Sequence, residues 1–410
     1  MLALLIFALS ASAAERTVCL NIGVVDDRTR CADGADAGAR RPCDPGSTVP
    51  AVGAVFQLWD KDGSSEGDDD YIGTWFKANE GRGCATFEWE YSMANVFEQE
   101  ANPDVFVRIP YRVKATTTSH EIRQVNHDDG EPRVSTDFRD DAVMNCAVGV
   151  DCEIAPGQYL VVSTNVADMR AKQMMALDSA QHALHVLGPA FTDDIDMVVP
   201  ATVPISVATG STEFSLADDG ITEGDTPSHE VGHCLHMQQI DREGLASDCS
   251  FGGDGHSMTG TEYESCATSE GFADFVAAVA MWDDDDSASR PKVFGEPIER
   301  AAPLFSPCSD NVGVELLVAR GFWDLVDNND EAAVPPANAA DGADMGEVNL
   351  VQGWASFDNG TGNRKDWESD VDGPNLRDFF YNNNNNPAFP AYNFFTTLLN
   401  HNCLGHQDNG

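Results

Sequence analysis

Apolar positions along this chain keep two different periods. Up to about residue 158 they come in short β-rich runs, at 52–60, 71–76, 84–89 and 104–109, separated by clusters of Gly, Asp, Asn and Pro. Partial alternation within the runs and frequent turn residues between them predict a β-sandwich over 15–158. Beyond about 165 the period lengthens. Met169, Leu177, Ala180, Leu184 and Leu187 form one helical stripe, and Gly188-Pro189 ends it. Strands are expected near 196–216, with 206–216 reading as a strand pair. Helices follow around 229–233 and from 269 to 282, and again over 314–326. The Ala/Asp/Gly-rich stretch 331–372 and the asparagine run 382–386 read as loop. A last helix is expected at about 391–400. The fold class is α+β, with a mainly helical second domain (159–410) that contains a small sheet. No internal repeat stands out.

Composition places the chain outside the cytoplasm. An apolar run followed by Ala11-Ser12-Ala13 predicts a signal peptide over 1–14, cleaved after Ala13 or Ala14. That run is shorter than the roughly twenty residues of a membrane span, and no other is long enough. Eleven cysteines in an exported chain imply up to five disulfides and one leftover thiol. Cys146 and Cys152 bracket a short loop. Cys19, Cys31, Cys43 and Cys84 are expected to pair within the first domain, Cys249 and Cys266 to clip a glycine-rich loop at 247–256, and Cys234 to stay unpaired. With 68 acidic and 24 basic residues the net charge is −44, which repels nucleic acid and anionic membrane. The same charge attracts divalent cations. Asp60, Asp62, Asp68, Asp69 and Asp70 crowd one turn, and Asp327 and Asp330 close the 314–326 helix. Oxygen-rich turns of this kind suit calcium, although solvated acidic loops have the same composition.

The chemistry concentrates in Ser228-His229-Glu230-Val231-Gly232-His233. On a helix, positions i and i+4 lie one above the other, so His229 and His233 reach one metal ion. Glu230 projects beside them, placed to take a proton from a metal-bound water. Catalytic zinc takes three protein ligands. Glu270 stands at the head of an apolar helix, where a carboxylate is costly to bury unless it finds a cation. Asp274, one turn on, can accept the remaining N–H of a ligating histidine and fix its tautomer. An acidic pair complementing the helix dipole is the competing explanation.

These two segments, His229 to His233 and Glu270 to Asp274, resemble the gluzincin group of zinc metallopeptidases. The resemblance covers roughly residues 160–410. It implies a zincin-type catalytic domain, zinc held by His229, His233 and Glu270, Glu230 as general base, and Asp274 as the supporting carboxylate. It also implies an edge strand near the site that binds extended peptide. Two features depart from the group. Thirty-six residues separate His233 from Glu270, against roughly twenty in its commonest members, and the Gly-x-Met-Glu-Asn motif of the aminopeptidase branch is missing. A metzincin would need Gly at 236 and His at 239, where this chain has His236 and Gln239. For an Asp-ligand class, Glu264 is the reserve ligand. His236 is expected to be a packing or rim residue, and His182 and His185 exposed helix positions. Residues from Pro50 to Arg108 are loosely similar to transthyretin-like sandwiches.

The expected activity is hydrolysis of a protein or peptide by a secreted, zinc-dependent endopeptidase. The oxyanion donor stays open among Tyr381, Tyr392 and His401. The alternative is a non-catalytic, calcium-dependent binding or adhesion protein on a protease-like scaffold, against which the intact Glu230 argues. Hydrolysis of a non-peptide amide is a lesser rival. The first domain either masks the site until removed or binds substrate, and the sequence sets no oligomeric state.

Overall fold

The computed structural model describes residues 14–25, 39–40, 47–60, 70–78, 83–89, 105–125, 136–138, 152–153, 159–199, 201, 203–240, 257–260, 264–286, 289–298, 314–327, 346–353 and 379. Helix and strand are mixed, as an α+β chain requires. The four expected β runs appear as β4 (Val55–Asp60), β5 (Asp70–Phe76), β6 (Gly83–Trp89) and β7 (Val105–Ile109). Three more strands precede them: β1 (Ala14–Leu20), β2 (Ile22–Val25) and β3 (Thr48–Pro50). β8 (Arg112–Lys114), β9 (Glu121–Val125), β10 (Thr136–Phe138), β11 (Cys152–Glu153) and β12 (Leu160–Val161) follow. Three small sheets have the orders β11-β1-β6, β10-β7-β4-β5 and β12-β2-β3. Cys19 and Cys84 face each other across the β1–β6 ladder and form a disulfide, and Cys266 is also disulfide-bonded.

The sheet beside the site crosses the boundary expected at 158/159. Its order is β14-β15-β13-β9-β8, with β13 (Ile195–Val198), β14 (Val207–Gly210) and β15 (Glu213–Ser215) from the later segment. β9 and β13 run parallel, and Arg123 of one lies opposite Asp196 of the other and bonds to it. Between them in sequence lies α1 (Met169–Leu187), capped by the Asp168 side chain on the Arg170 N–H and followed by a 3₁₀ turn at Gly188–Ala190. The single stripe read in α1 proves too narrow. Ala171, Met174, Met175 and Ala176 are buried with Leu177, Ala180, Leu184 and Leu187, because α1 is covered by β2, β8 and β9 as well as by the next two helices. His185 is exposed and His182 half-buried. One apolar core runs from Val18 to Phe379 through both halves of the chain.

The helical part consists of α2 (Thr226–Ile240), α3 (Glu264–Met281), α4 (Glu315–Val326) and α5 (Glu347–Gly353). α3 starts at 264 rather than 269, so Glu270 lies inside the helix and not at its head. α5 falls within 331–372, which the composition had suggested was all loop. Its short apolar stretch, Val348 to Val351, buries Leu350 and Val351. Among the described residues no helix is long and apolar enough to cross a membrane. The signal segment 1–13, the glycine-rich loop, the aspartates at 62, 68 and 69, and the last expected helix lie outside the described residues, as do Cys31, Cys43, Cys146 and Cys249.

Candidate metal centre

One glycine lets α2 come close enough to α3 for their side chains to meet, and a second lets α3 approach α4. A Cβ on Gly232 of α2 would stand 2.7 Å from the Ala273 Cα of α3, and one on Gly271 would stand 2.6 Å from the Glu315 carbonyl oxygen of α4. Both glycines fall inside the motifs, between His229 and His233 and directly after Glu270. At these positions the absent side chain is what the packing requires. The Ser228 hydroxyl adds a tie from α2 to α1, donating to the Ser179 carbonyl at 2.8 Å.

The result is a small triangle of donor atoms. His229 Nε2 and His233 Nε2 are 3.0 Å apart, Glu270 Oε2 is 3.1 Å from His233 Nε2, and it is 3.2 Å from His229 Nε2. A tetrahedral zinc with bonds of about 2.0–2.1 Å places its ligand atoms roughly 3.3 Å apart, so the donor set fits such an ion to within a few tenths of an ångström. His229, His233 and Glu270 form the one group of this kind among the described residues. All three are at least nearly buried, and three electron-rich atoms in mutual contact need a shared cation or proton. Asp274, fully buried, accepts from His229 Nδ1 at 2.9 Å and so directs the other ring nitrogen at the triangle.

The electrostatics follow from that crowding. Burial pushes the His229 pKa down, but hydrogen bonds to Asp274 and Glu270, with their charges, outweigh it and hold the ring well above its ordinary value. Burial also acts against the Glu270 carboxylate. Here the charge of His233 and hydrogen bonds from both histidines win, and its pKa falls well below the usual range. Asp274 is raised by burial and by the neighbouring Glu315. Glu230, also buried, is raised chiefly by burial, partly opposed by the two histidines. Its Oε2 has no hydrogen-bond partner among the described residues.

The remaining expectations sort out by position. His236 is buried against the Phe272 ring, with centroids 5.0 Å apart and its pKa lowered by burial to about 3; it packs rather than joins the triangle. Cys234 is free and buried, and burial raises its thiol well above the ordinary value. Glu264 opens α3, but its side chain lies outside the described residues, as do Tyr381, Tyr392 and His401. The expected strand pair is β14–β15, and β14 is the edge strand of its sheet. The Ala208 amide of β14 hydrogen-bonds to the Glu230 side chain.

Three contributors escape a reading of the sequence. Asp225, Phe294 and Glu315 all border the site. The Phe294 ring stands edge-on to His229 with centroids 5.2 Å apart, and its N–H donates to Asp225 Oδ2 at 2.8 Å. Glu315, only 1% exposed, lines a cleft of ≈ 320 Å³ together with His229, Glu230 and Phe294. A buried acid at the start of an apolar helix was a signal available for Glu315. Nothing local marks the other two. No protein-family model matches the chain, and no curated protein matches it either.

Proposed function

We propose that the protein is a secreted zinc peptidase in which His229, His233 and Glu270 hold the metal, Glu230 is the general base and Asp274 orients His229. The observation that carries this reading is the 3.0–3.2 Å donor triangle with a buried carboxylate beside it. When bound, zinc supplies a Lewis acid that acidifies water and polarises a substrate carbonyl.

The chain's own residues do the rest. Asp274 keeps the His229 Nδ1 proton in place, so the Nε2 lone pair stays available. Glu230, with one oxygen steadied by the Ala208 amide, takes a proton from water and passes it to the leaving amine. Its burial-raised pKa brings it nearer to neutrality, where a general base works best. Edge strand β14 aligns an extended peptide by strand addition, next to the base that acts on it. The Cys19–Cys84 disulfide and the apolar N-terminal run support an extracellular setting. We place the early strands in a sandwich-type unit beside the zincin-type helices.

The test is a Glu230→Gln variant beside the wild-type chain, both assayed for metal content and for cleavage of a peptide library. The reading expects one zinc in each and a loss of about 10²–10⁴ in turnover in the variant. Turnover that survives the substitution, or a wild-type chain that takes up zinc and cuts nothing, sinks it.

A further inference from the structure

β16 (Lys292–Val293) and β17 (Glu296–Pro297) are joined by a two-residue turn, Phe294 and Gly295. Both have positive φ, 51° and 81°, as a type I′ hairpin turn requires. Gly295 suits that conformation. Phe294 does not: it is the one non-glycine residue with positive φ among those described, in a region that bulky side chains rarely enter.

Two contacts hold it there. Its amide donates to Asp225 Oδ2, while the Asp225 carbonyl accepts the His229 N–H at 2.9 Å. The turn is thereby tied to the start of the metal helix. The Phe294 ring rests on the His229 imidazole and lines the cleft with Ile205 and Met258. Ile205 is 65% exposed, an apolar side chain at the rim with water over it. Strain concentrated at a site points to a role for the strained residue, and a smaller residue would close this turn with less of it.

Resting on the peptidase reading of this cleft, we propose that Phe294 is a specificity-determining residue. With Ile205 and Met258 it receives an apolar side chain from a residue flanking the scissile bond. The distance selects that residue. Successive residues of an extended peptide are about 3.3–3.6 Å apart, so only a side chain next to the reacting carbonyl meets a ring in contact with a metal ligand.

The test uses the zinc-loaded full chain and two variants, Phe294→Asn, which suits the turn and removes the ring, and Ile205→Ala, whose exposed site tolerates truncation. Calorimetry compares peptide hydroxamates that differ only in an isobutyl group against hydrogen. Wild type should prefer isobutyl by about tenfold or more. Phe294→Asn should cut the preference below about threefold with zinc content unchanged, and Ile205→Ala should reduce it in part. The ratio of kcat/KM for Leu-flanked over Gly-flanked peptides should fall in parallel. A preference that survives both variants overturns the proposal, as does zinc lost together with the ring, which would make Phe294 a brace for His229. Failure of wild type to bind either hydroxamate overturns it too. A Phe294-dependent preference without peptide cleavage would leave the apolar subsite standing and retire the peptidase reading alone.

Discussion

Helix α3 has one buried acid in its first half, Glu270, and another just beyond its end, Asp284, and they meet opposite charge in different ways. At its finish Arg40 supplies the cation. Its guanidinium donates to the carbonyls of Val279 at 3.0 Å and Trp282 at 2.8 Å, to Asp284 Oδ1 at 2.7 Å and to Glu347 Oε1 at 3.1 Å. The last turn of the helix, the acid beyond it and α5 are closed by one side chain. In the first half, the Glu270 carboxylate meets His229 and His233. Asp284 and Glu347 both meet Nη2 of Arg40, whereas His229 Nε2, His233 Nε2 and Glu270 Oε2 converge on one another. An acidic cluster with its own guanidinium is finished by folding; convergent histidine and carboxylate donors are what the proposed zinc would occupy.

The comparison breaks most sharply with Glu270→Ala set against Glu347→Ala. The first should abolish stoichiometric zinc and, with it, any rise in Tm on adding metal, a stabilisation of about 4 kcal/mol at a thousand times Kd. The second should keep both, and equal metal content in the two variants would show that the triangle is not the site. Arg40→Ala should come next, costing about 1.5–3 kcal/mol from lost charge-assisted bonds, with zinc content unchanged in the folded protein. An unaltered unfolding midpoint in denaturant would make the Arg40 cluster ornamental. The smallest effect is expected at Asp284, whose pKa burial and Glu347 push up to about 7 against the pull of Arg40. A raised folded-state pKa means that the folded chain keeps a proton the unfolded chain releases. Stability from this group is full below about pH 4 and is lost as pH rises through about 7. Asp284→Asn should flatten that decline by about 1 kcal/mol after allowance for solvent screening. An identical pH profile in wild type and variant would remove Asp284 as its source.

The residues of the candidate triangle were legible because helix geometry is local. The four-position step from His229 to His233 fixes their relation without knowledge of anything else, and Asp274 repeats that spacing from Glu270. Phe294 and Asp225 matter through a contact across 69 residues, which no local pattern encodes. β8 and β9 were missed for a related reason. Each is short and charged: Arg112 bonds diagonally to Glu121, which lies opposite Lys114, and Arg123 lies opposite Asp196. The helix over 169–187 was found, but its burial on most sides reflects tertiary covering rather than its own amphipathic pattern. Composition along 331–372 is equally silent about α5, whose seven residues are held by neighbours more than by propensity.

The β9–β13 ladder has a consequence for how the chain is made. Its paired residues Arg123 and Asp196 are 73 positions apart, with the whole of α1 between them. Non-local parallel pairing closes slowly, because chain entropy is lost before the contacts form. A polypeptide made from its N-terminus therefore cannot assemble this sheet until residues near 215 have followed. Until then the β9 edge that β13 will pair stays open, which is the interval in which a chaperone would have something to hold.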